Sequence, residues 1–590
     1  MRRRVGRRNN WKRTCVDSPY TKALLCLSVQ TPFVGGSHAN GFGEKQDMKK
    51  RLIALAAVAS IALQAAAFAF ENSVTITEAE KKMAENITAE QLRDYLYFVA
   101  SDEMGGRDTP SRGLDLTAKF LALNLSRWGF KPAGDDGSYF QKMWVVSDSI
   151  DQKATKLTVN EKEFSFGKDF YLLRGKGMVE GDLVFGGNGW MVKSKNFDAF
   201  EGVDVRDKVV VVYQSGFNGR GFQPPGGLGE GGLGGDQGVD WANPLDHAKM
   251  KGAKGVVIVA DPQIQGFWPQ LGNFLGRGRA YIEGLQEGGS SADSLPLFLV
   301  SQTAGSAIFE GTPGNQESES AFAIGKTARL SAVGKSERVP TQNVVALWEG
   351  GDPKLKAEMV AIGAHYDHVG TRETGEGDRI FNGADDDGSG TVAVLAIAEA
   401  LAKAPKRPNR SVLLVWHAGE EKGLWGSEYF NKFPTVDIKN VVAQLNLDMI
   451  GRSKKPGDDN PKNKELSGED EIYVIGSEMM SSKLGEVTKG TNSGYLGMKY
   501  NYKYDDPKDP NRFFFRSDHF NYAVNGIPVV FWFDGVHEDY HQAGDHADKI
   551  DYQKMEKVTR TIFLTLWEIA QLDERPAVDK QLPPELSSRG

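Results

Sequence analysis

The most restrictive feature of this 590-residue chain is that short apolar runs end on acidic or histidine residues. The runs read as buried strands, and they cover residues 360–364, 412–416 and 441–447. The side chains that come just after them belong to His365, Glu420, Glu421 and Asp448. Strands alternate with helix-like segments here, which predicts an α/β fold with a mixed, mostly parallel sheet. Because ligand crevices form at the carboxyl ends of such strands, we expect these side chains to meet.

An aspartate triplet, Asp385-Asp386-Asp387, stands between the first two runs in a glycine-rich turn. A carboxylate on such a turn can lie between two metal ions without its backbone obstructing them. Taken singly, an aspartate triplet is usually a solvated turn, and a histidine after a strand is more often structural than a ligand. Several like charges in one crevice, however, cost free energy unless cations neutralise them. The combination therefore predicts divalent metal, and ligands without thiolate suit catalytic zinc, with cobalt or manganese as alternatives.

The segment from Met48 to Ala69 has the three parts of a secretory signal peptide, which are basic residues, an apolar run and a small-residue stretch. We expect cleavage after Ala67 or Ala69. An uncleaved anchor helix is the alternative, but Ser60 and Gln64 interrupt the apolar run. The sequence thus predicts an exported protein, periplasmic or extracellular, without stable membrane insertion after cleavage.

The arginine-rich residues 1–47 precede this signal and are interpreted as translation from an upstream false start. Both cysteines, Cys15 and Cys26, lie in that piece, so the exported chain would have no disulfides. Residues 1–69 hold 12 Lys+Arg and 3 Asp+Glu, which leaves 59 basic against 75 acidic residues and a net charge of −16, compared with −7 for the full chain. This acidic excess disfavours nucleic acid or an anionic membrane as a partner.

Beyond the signal segment, the pattern of the chain changes several times. Two helices are predicted around the turn Gly105-Gly106-Arg107, and short β-rich runs separated by glycine-rich turns then indicate an inserted second domain. The predicted parts are an N-terminal helical part, the inserted domain, the α/β part and a polar tail, at residues 85–155, 156–335, 336–575 and 576–590. In the α/β part, a helix from Gly390 to Ala402 is predicted to start at Ser389 as its N-cap.

Five motifs stand in a fixed order along the chain: Gly363–Gly370, Gly383–Gly390, Gly419–Ser427, Asn446–Gly451 and Tyr540-His541. With them, residues 85–575 resemble the exported di-zinc aminopeptidases of the aminopeptidase Y type, in the superfamily that also holds glutamate carboxypeptidase and the transferrin receptor. The resemblance implies a sheet sandwiched between helices. It also implies that the inserted segment is a protease-associated domain that covers part of the active-site mouth.

The resemblance implies two Zn²⁺ ions and assigns a pair of ligands to each, His365 with Asp448 and Glu421 with His541. Asp386 would bridge the two ions, because alignment of the glycine-rich turn selects the middle aspartate of the three. Asp385 and Asp387 would then be flanking groups.

Glu420 would be the general base, since a carboxylate beside an acidified water can take its proton and pass it to the leaving amine. Asp367 is suited to accept the other ring N–H of His365. Tyr540 is expected to donate a hydrogen bond to the developing oxyanion, with a packed aromatic ring as the alternative. The ligand set is filled without the other histidines near the motifs, so they are interpreted as structural or supporting groups: His368, His417, His519, His537 and His546.

The function expected from these residues is an exported metallo-aminopeptidase that removes N-terminal residues from peptides. Three alternatives remain open: a carboxypeptidase for acidic C-terminal residues, for which Arg516 is a candidate contact, a single-zinc glutaminyl cyclase, and a non-catalytic binding module like the transferrin receptor. Peptides are the expected partners, and the sequence carries no signal for an oligomeric state.

Overall fold

A computed structural model describes residues 74–219, 221–275, 278–285 and 295–587 of the chain. The predicted signal peptide at 48–69 and the upstream residues 1–47 lie outside these ranges. Within them, no helix combines the length and the apolar character needed to cross a membrane.

The helices of the described ranges are α1 Glu78–Ala84, α2 Ala89–Val99, α3 Arg112–Arg127, α4 Pro244–Met250, α5 Pro262–Gly266, α6 Trp268–Leu275, α7 Gln302–Phe309, α8 Gly390–Lys403, α9 Trp425–Lys432, α10 Ser482–Gly494, α11 His519–Val524 and α12 Tyr552–Gln571. The first two begin at capping boxes, in which Thr77 and Thr88 each accept a backbone N–H from the third residue of the helix.

The strands of the same ranges are β1 Lys131–Pro132, β2 Phe140–Ile150, β3 Lys156–Val159, β4 Lys162–Phe164, β5 Phe170–Arg174, β6 Gly177–Phe185, β7 Met191–Val192, β8 Phe197–Asp198, β9 Val209–Tyr213, β10 Trp241–Ala242, β11 Gly255–Val259, β12 Arg279–Ile282, β13 Leu297–Val300, β14 Phe322–Ala332, β15 Gly334–Trp348, β16 Met359–His365, β17 Ser411–His417, β18 Val441–Leu447, β19 Glu471–Ile475, β20 Lys499–Asn501 and β21 Val529–Phe533.

The first sheet has the strand order β12-β2-β15-β17-β16-β18-β21-β19-β20, and β1 pairs with β15. Its centre, β17-β16-β18-β21, is parallel. The strands on both sides of this centre join it antiparallel. The expected mixed α/β fold is confirmed, although parallel pairing is limited to this centre and to the edge pair of β19 and β20.

Helices cover both faces of the first sheet, because alternate residues of its central strands point to opposite sides. Val360, Ile362 and Ala364 of β16 pack into a core that includes buried residues of α2, α8 and α12. Met359 and Ala361 pack into the other core, with residues of α9 and α11. The central strands are therefore buried on both faces, and only their ends are free to present polar side chains.

The second sheet lies within the segment from β3 to β14 and has the order β4-β3-β14-β6-β9-β11-β13-β5. Its centre, β6-β9-β11-β13, is also parallel. Helix α7 contributes to the core on one face, and α4, α5 and α6 contribute to the core on the other. One strand of the same segment, β12, pairs instead with β2 at the edge of the first sheet. A third, small sheet consists of β10, β7 and β8.

Two local expectations are corrected by the structure. Helix α8 does begin at Gly390, but the Ser389 hydroxyl does not cap it, because it donates to the Asp385 carbonyl (2.8 Å) and accepts from the Ile450 N–H (3.0 Å). The segment after Pro576 is more than a polar tail. Its Asp579 accepts from the Ser482 N–H at the start of α10, and Leu586 is buried in the second core of the first sheet.

Candidate metal centre

The predicted site residues lie at the carboxyl ends of the parallel strands in the first sheet. His365 is the last residue of β16, and Asp448 directly follows β18. Glu420 and Glu421 lie between β17 and α9, while His541 lies between β21 and α12. Because these strands are parallel neighbours, their ends form one edge of the sheet. Residues far apart in the chain therefore meet there.

Asp386 lies between the two halves of this site. Its Oδ1 is 3.3 Å from His365 Nε2, and its Oδ2 is 3.1 Å from His541 Nε2. The turn that carries it depends on Gly383, whose φ is +58°, because an added Cβ would overlap the Asp386 carbonyl oxygen and the His368 ring. The glycine-rich turn thus places one carboxylate in contact with groups on both sides.

Asp387 binds backbone rather than facing the same centre. Its Oδ1 accepts from the N–H of Gly390 (2.9 Å) and of Met449 (3.2 Å), and its Oδ2 accepts from the His365 N–H (3.1 Å). This single side chain connects the start of α8 to the ends of β16 and β18. It holds the site together without contacting the ligand atoms.

Asp385 has a similar supporting position on the other side of the triplet. Its Oδ1 accepts from the Gly451 N–H (2.7 Å), and its Oδ2 is 3.2 Å from His537 Nε2. The carboxylate of Asp545 accepts from the backbone N–H groups of both Asp385 and Asp386. The three aspartates therefore have different surroundings.

Within the described residues, two groups of three offer ligand atoms that all lie within 4.8 Å of one another. The first group is His365, Asp386 and Asp448. His365 Nε2 is 3.6 Å from Asp448 Oδ1 and 3.8 Å from Glu420 Oε2. The predicted ligands of one metal, and the predicted base, thus converge on one ring nitrogen.

The second group is His368, Asp386 and Glu421, and His541 adjoins it. The two carboxylate oxygens of Glu421 face different rings, with Oε1 2.7 Å from His368 Nδ1 and Oε2 2.8 Å from His541 Nε2. The predicted pair of Glu421 and His541 is therefore brought together, and the structure adds His368 to it.

In the protein alone, the crowding of charged groups in this site shifts the pKa values of its members. Burial raises the pKa of Glu420 well above its usual range, and Glu421 and Asp448 raise it further although His365 opposes them. Burial acts to lower the pKa of His541, yet Asp386 and Glu421 raise it to about 10. A raised carboxyl pKa means that the negative form is unfavourable in this site. Bound divalent cations would stabilise that form.

Asp367 is close to His365, but it makes a different contact from the one expected. His365 Nδ1 is 3.2 Å from the main-chain oxygen of Asp367 and 3.6 Å from its carboxylate oxygen. The carboxylate instead accepts from the backbone N–H of Glu420 (3.2 Å). The carbonyl lies nearer to the ring than the carboxylate does, so Asp367 orients both the histidine and the loop that carries the base.

Tyr540 lines a cavity beside the site, together with Asp386, Glu420 and Asp448. Its ring stacks on His541 at a centroid distance of 4.0 Å, and its hydroxyl accepts from Arg516 Nη2 at 3.0 Å. Both interpretations of this residue therefore remain open, since its ring is packed and the residue also lines the cavity.

The sequence interpretation missed the buried Arg107, which holds the loops of the site in place. Its guanidinium donates to the carbonyl oxygens of Val99, Tyr366, Asn382 and Gly383. The adjacent glycine pair was visible as a turn in the sequence, but nothing in the pattern showed that the arginine points inward. His368 was also missed as a member of the site, although its position three residues after His365 was a usable signal.

The remaining histidines near the motifs have partners away from the two groups. His417 Nε2 is 3.0 Å from the Tyr522 hydroxyl, His537 faces Asp385, and the half-exposed His546 Nε2 is 3.2 Å from Asp378. Supporting roles for these three histidines remain a prediction.

Comparison with known proteins agrees with this geometry. Residues 343–566 match the family model of peptidase family M28. This segment belongs to peptidase family M28. It contains both groups of candidate ligands and the candidate base, from His365 to His541.

Parts of the chain are similar to named enzymes. Leupeptin-inactivating enzyme 1 of Streptomyces exfoliatus is 36% identical over 124 residues, which are 20% of this chain and 25% of that protein. Leucine aminopeptidase 2 of Arthroderma otae is 27% identical over 297 residues, 46% of this chain and 54% of that protein. The chain therefore spans about half or less of the length of these relatives.

Among solved structures, the aminopeptidase from Aneurinibacillus sp. strain AM-1 aligns over 86% of this chain and 98% of its own, with a TM-score of 0.43 and 15% identity.

Proposed function

We propose that this chain is an exported zinc aminopeptidase that hydrolyses N-terminal residues from peptides, with Glu420 as the general base. The observation that carries the proposal is the position of Asp386 between His365 and His541, with Glu420 and Asp448 beside it. A carboxylate shared by two groups of ligands is what a two-metal hydrolytic site requires.

The residues fit divalent metal on a second ground. Four buried atoms of the second group and the adjoining His541 make no hydrogen bond to other described residues. These atoms are Asp386 Oδ2, Glu421 Oε1, His368 Nδ1 and His541 Nε2. Buried polar atoms are normally satisfied, so a set of such atoms that face one another indicates a missing common partner. His365 and Asp448 would hold one zinc, Glu421 and His541 the other, and Asp386 both.

The chain's own residues supply the remaining parts of the reaction. Two zinc ions, when bound, acidify water and polarise the scissile carbonyl. Glu420 takes a proton from the attacking water and delivers it to the leaving amine. The Asp367 carboxylate fixes the backbone beside this base. Tyr540 offers its hydroxyl hydrogen to the developing oxyanion, while Arg516 holds the hydroxyl oxygen.

The cavity beside the site favours substrates with an apolar first residue. Half of its lining residues are apolar, namely Met449, Phe513, Phe531, Phe533 and Val536. An apolar side chain gains free energy when it is buried against such a surface, whereas a charged one loses solvation. The relatives named as leucine aminopeptidases are consistent with this preference.

The alternative functions have less support. Among the described residues that line the cavity, Arg516 is the one basic side chain, so a pocket for an acidic C-terminal residue lacks the expected cluster of cations. A single-zinc glutaminyl cyclase would not require a carboxylate shared between two groups of ligands. A non-catalytic module would not require Glu420 to be kept beside His365.

A Glu420→Gln variant tests the proposal. We expect it to bind two zinc ions per chain, as the wild type does, while kcat for leucine anilide falls by about 10³-fold or more, because the group that moves the proton is lost. The measurements are metal content by mass spectrometry and anilide hydrolysis.

Acetyl-leucine anilide is the matched substrate control, since an aminopeptidase requires a free amine and should leave it intact. Full activity in the Glu420→Gln variant with both metals bound would disprove the role of Glu420. One zinc per wild-type chain, with cyclisation of N-terminal glutamine, would instead favour the cyclase.

Export and the domain division belong to the same proposal. Residues 48–69 would direct export, residues 85–155 and 336–575 would form the peptidase domain, and 156–335 would be the inserted protease-associated domain. The basis for these boundaries is the sequence pattern.

A further inference from the structure

We infer that His368 is a ligand of the second metal, so that this half of the site is built from two imidazoles, Glu421 and Asp386. The inference rests on the proposed two-metal function and goes beyond the five ligands that the sequence interpretation assigned. It begins from the contact between His368 Nδ1 and Glu421 Oε1, which are 2.7 Å apart.

This contact is close but is not a hydrogen bond. Both atoms are fully buried, and neither makes a hydrogen bond to any described residue. A supporting histidine would point its N–H at the carboxylate, as expected for a residue that only orients a ligand. A close approach of two buried atoms without a hydrogen bond is instead what a shared cation would explain.

Three separations among these side chains are near those of ligand atoms on tetrahedral zinc. Ligand atoms bound at about 2.0–2.1 Å in a tetrahedron lie about 3.3 Å from one another. Around the second group, His541 Nε2 is 2.8 Å from Glu421 Oε2 and 3.1 Å from Asp386 Oδ2, and His368 Nδ1 is 3.8 Å from Asp386 Oδ2. The separations lie on both sides of the tetrahedral value.

His368 is also the better anchored of the two histidines. Its side chain is 0% exposed, whereas that of His541 is 37% exposed. Its backbone N–H donates to the Arg107 carbonyl (3.2 Å), and its ring lies against Gly383, where an added Cβ would overlap it. The inward histidine is therefore held in place by the core before any metal binds, while His541 closes the site from the surface.

The direct test needs no variant. X-ray absorption spectroscopy of the wild-type protein loaded with two zinc ions should detect three imidazoles shared between the two metals, bound by His365, His368 and His541. Two imidazoles would overturn the inference. The spectrum is free of sulfur ligands once the signal segment is removed, because the cysteines are Cys15 and Cys26.

Variants provide an independent readout. In His368→Ala, competition with a chelator should show that affinity for the more weakly held zinc falls by more than about 100-fold, the upper end for losing a group that only orients a ligand. The other zinc should be retained. His546→Ala, which removes a half-exposed histidine outside both groups, is the control and should match the wild type.

The two proposals fail in distinguishable ways. A wild type that binds two zinc ions and hydrolyses peptides, alongside a His368→Ala variant that holds both ions with wild-type affinity, overturns the role of His368 alone. A wild type with one zinc or without peptidase activity overturns the proposed function. Should His368→Ala fail to fold, the imidazole count of the wild type still decides the inference.

Discussion

The two large sheets of this chain share a four-stranded parallel centre, yet they use the ends of those strands differently. In the first sheet, long segments separate a strand from the next helix, as in residues 366–389 between β16 and α8. In the second sheet two of the connections are short, with 260–261 between β11 and α5 and Ser301 alone between β13 and α7, whereas residues 214–243 separate β9 from α4.

Where the connection is short, the polar residues after a strand cap the next helix. Asp261 Oδ1 accepts from the Ile264 N–H (2.8 Å), and Ser301 Oγ accepts from the Ala304 N–H (3.2 Å), so both act as helix caps. In the first sheet, Glu420 and Glu421 come before α9 without capping it, because the cap position is occupied by Leu424. Polar residues that follow strands therefore cap helices in the second sheet, whereas in the first sheet they bring acidic side chains together at the metal site.

Asp386→Ala is the change with the largest expected effect on this contrast. The variant removes the one carboxylate that faces both groups of ligands, so both zinc ions should be released and kcat/KM should fall by more than about 10³-fold. Zinc content after dialysis and anilide hydrolysis measure the two effects. Asp378→Ala, which removes a carboxylate paired with His546, is the control. Retention of one tightly bound zinc in the variant would show that Asp386 does not bridge.

The sequence was sufficient to predict that acidic and histidine side chains meet at one edge of the first sheet. Apolar runs followed by His365, Glu421 and Asp448 could be recognised because a run buried on both faces leaves its next residue at the sheet edge. The mixed α/β fold followed from the same runs. The second sheet was recognised only as β-rich, since its polar residues after the strands are caps and give no functional signal.

The sequence could not show side-chain direction within the turns. Asp367 was expected to meet His365 through its carboxylate, but its carbonyl lies nearer to the ring. Ser389 was expected to cap α8, while Asp387 Oδ1 accepts from the Gly390 N–H at its start. His368 was assigned to support because five ligands already filled the set. Each difference depends on backbone torsions in an irregular segment, for which hydrophobic periodicity carries no information.

Glu568 on α12 offers a measure of what a buried carboxylate costs in this protein away from the metal site. Burial, with Glu80 nearby, raises its pKa from 4.5 to about 7. Because the folded pKa exceeds the unfolded one, the protonated form stabilises the fold below about pH 4.5, and this contribution is lost as the pH rises through about 7. Glu568→Gln should therefore increase the free energy of unfolding at pH 8 by about 2 kcal/mol, after allowance for partial exposure.

The expected gain for Glu568→Gln should disappear at pH 4.5, where the wild-type carboxyl is largely neutral in the folded state. Urea unfolding of the zinc-loaded proteins at both pH values measures the difference, and other titrating groups cancel between variant and wild type. A gain that is equal at the two pH values would mean that the carboxylate charge is not its cause. A clear gain at pH 8 alone would support the argument that the more deeply buried carboxylates of the site are tolerated because cations neutralise them.

Asp261→Ala tests the other half of the comparison and has the smallest expected effect. Loss of the cap on α5 should lower the free energy of unfolding by about 1 kcal/mol, while zinc content and anilide hydrolysis stay at wild-type values. Asp261→Asn is the matched control, because the amide oxygen can still accept from the Ile264 N–H. The free energy of unfolding of this variant should differ from that of the wild type by only about a few tenths of a kcal/mol. Hydrogen exchange in residues 255–266 would locate the loss. If Asp261→Ala reduced zinc binding instead, the carboxylates after the strands of the second sheet would have a functional role, and connection length would not explain the difference between the sheets.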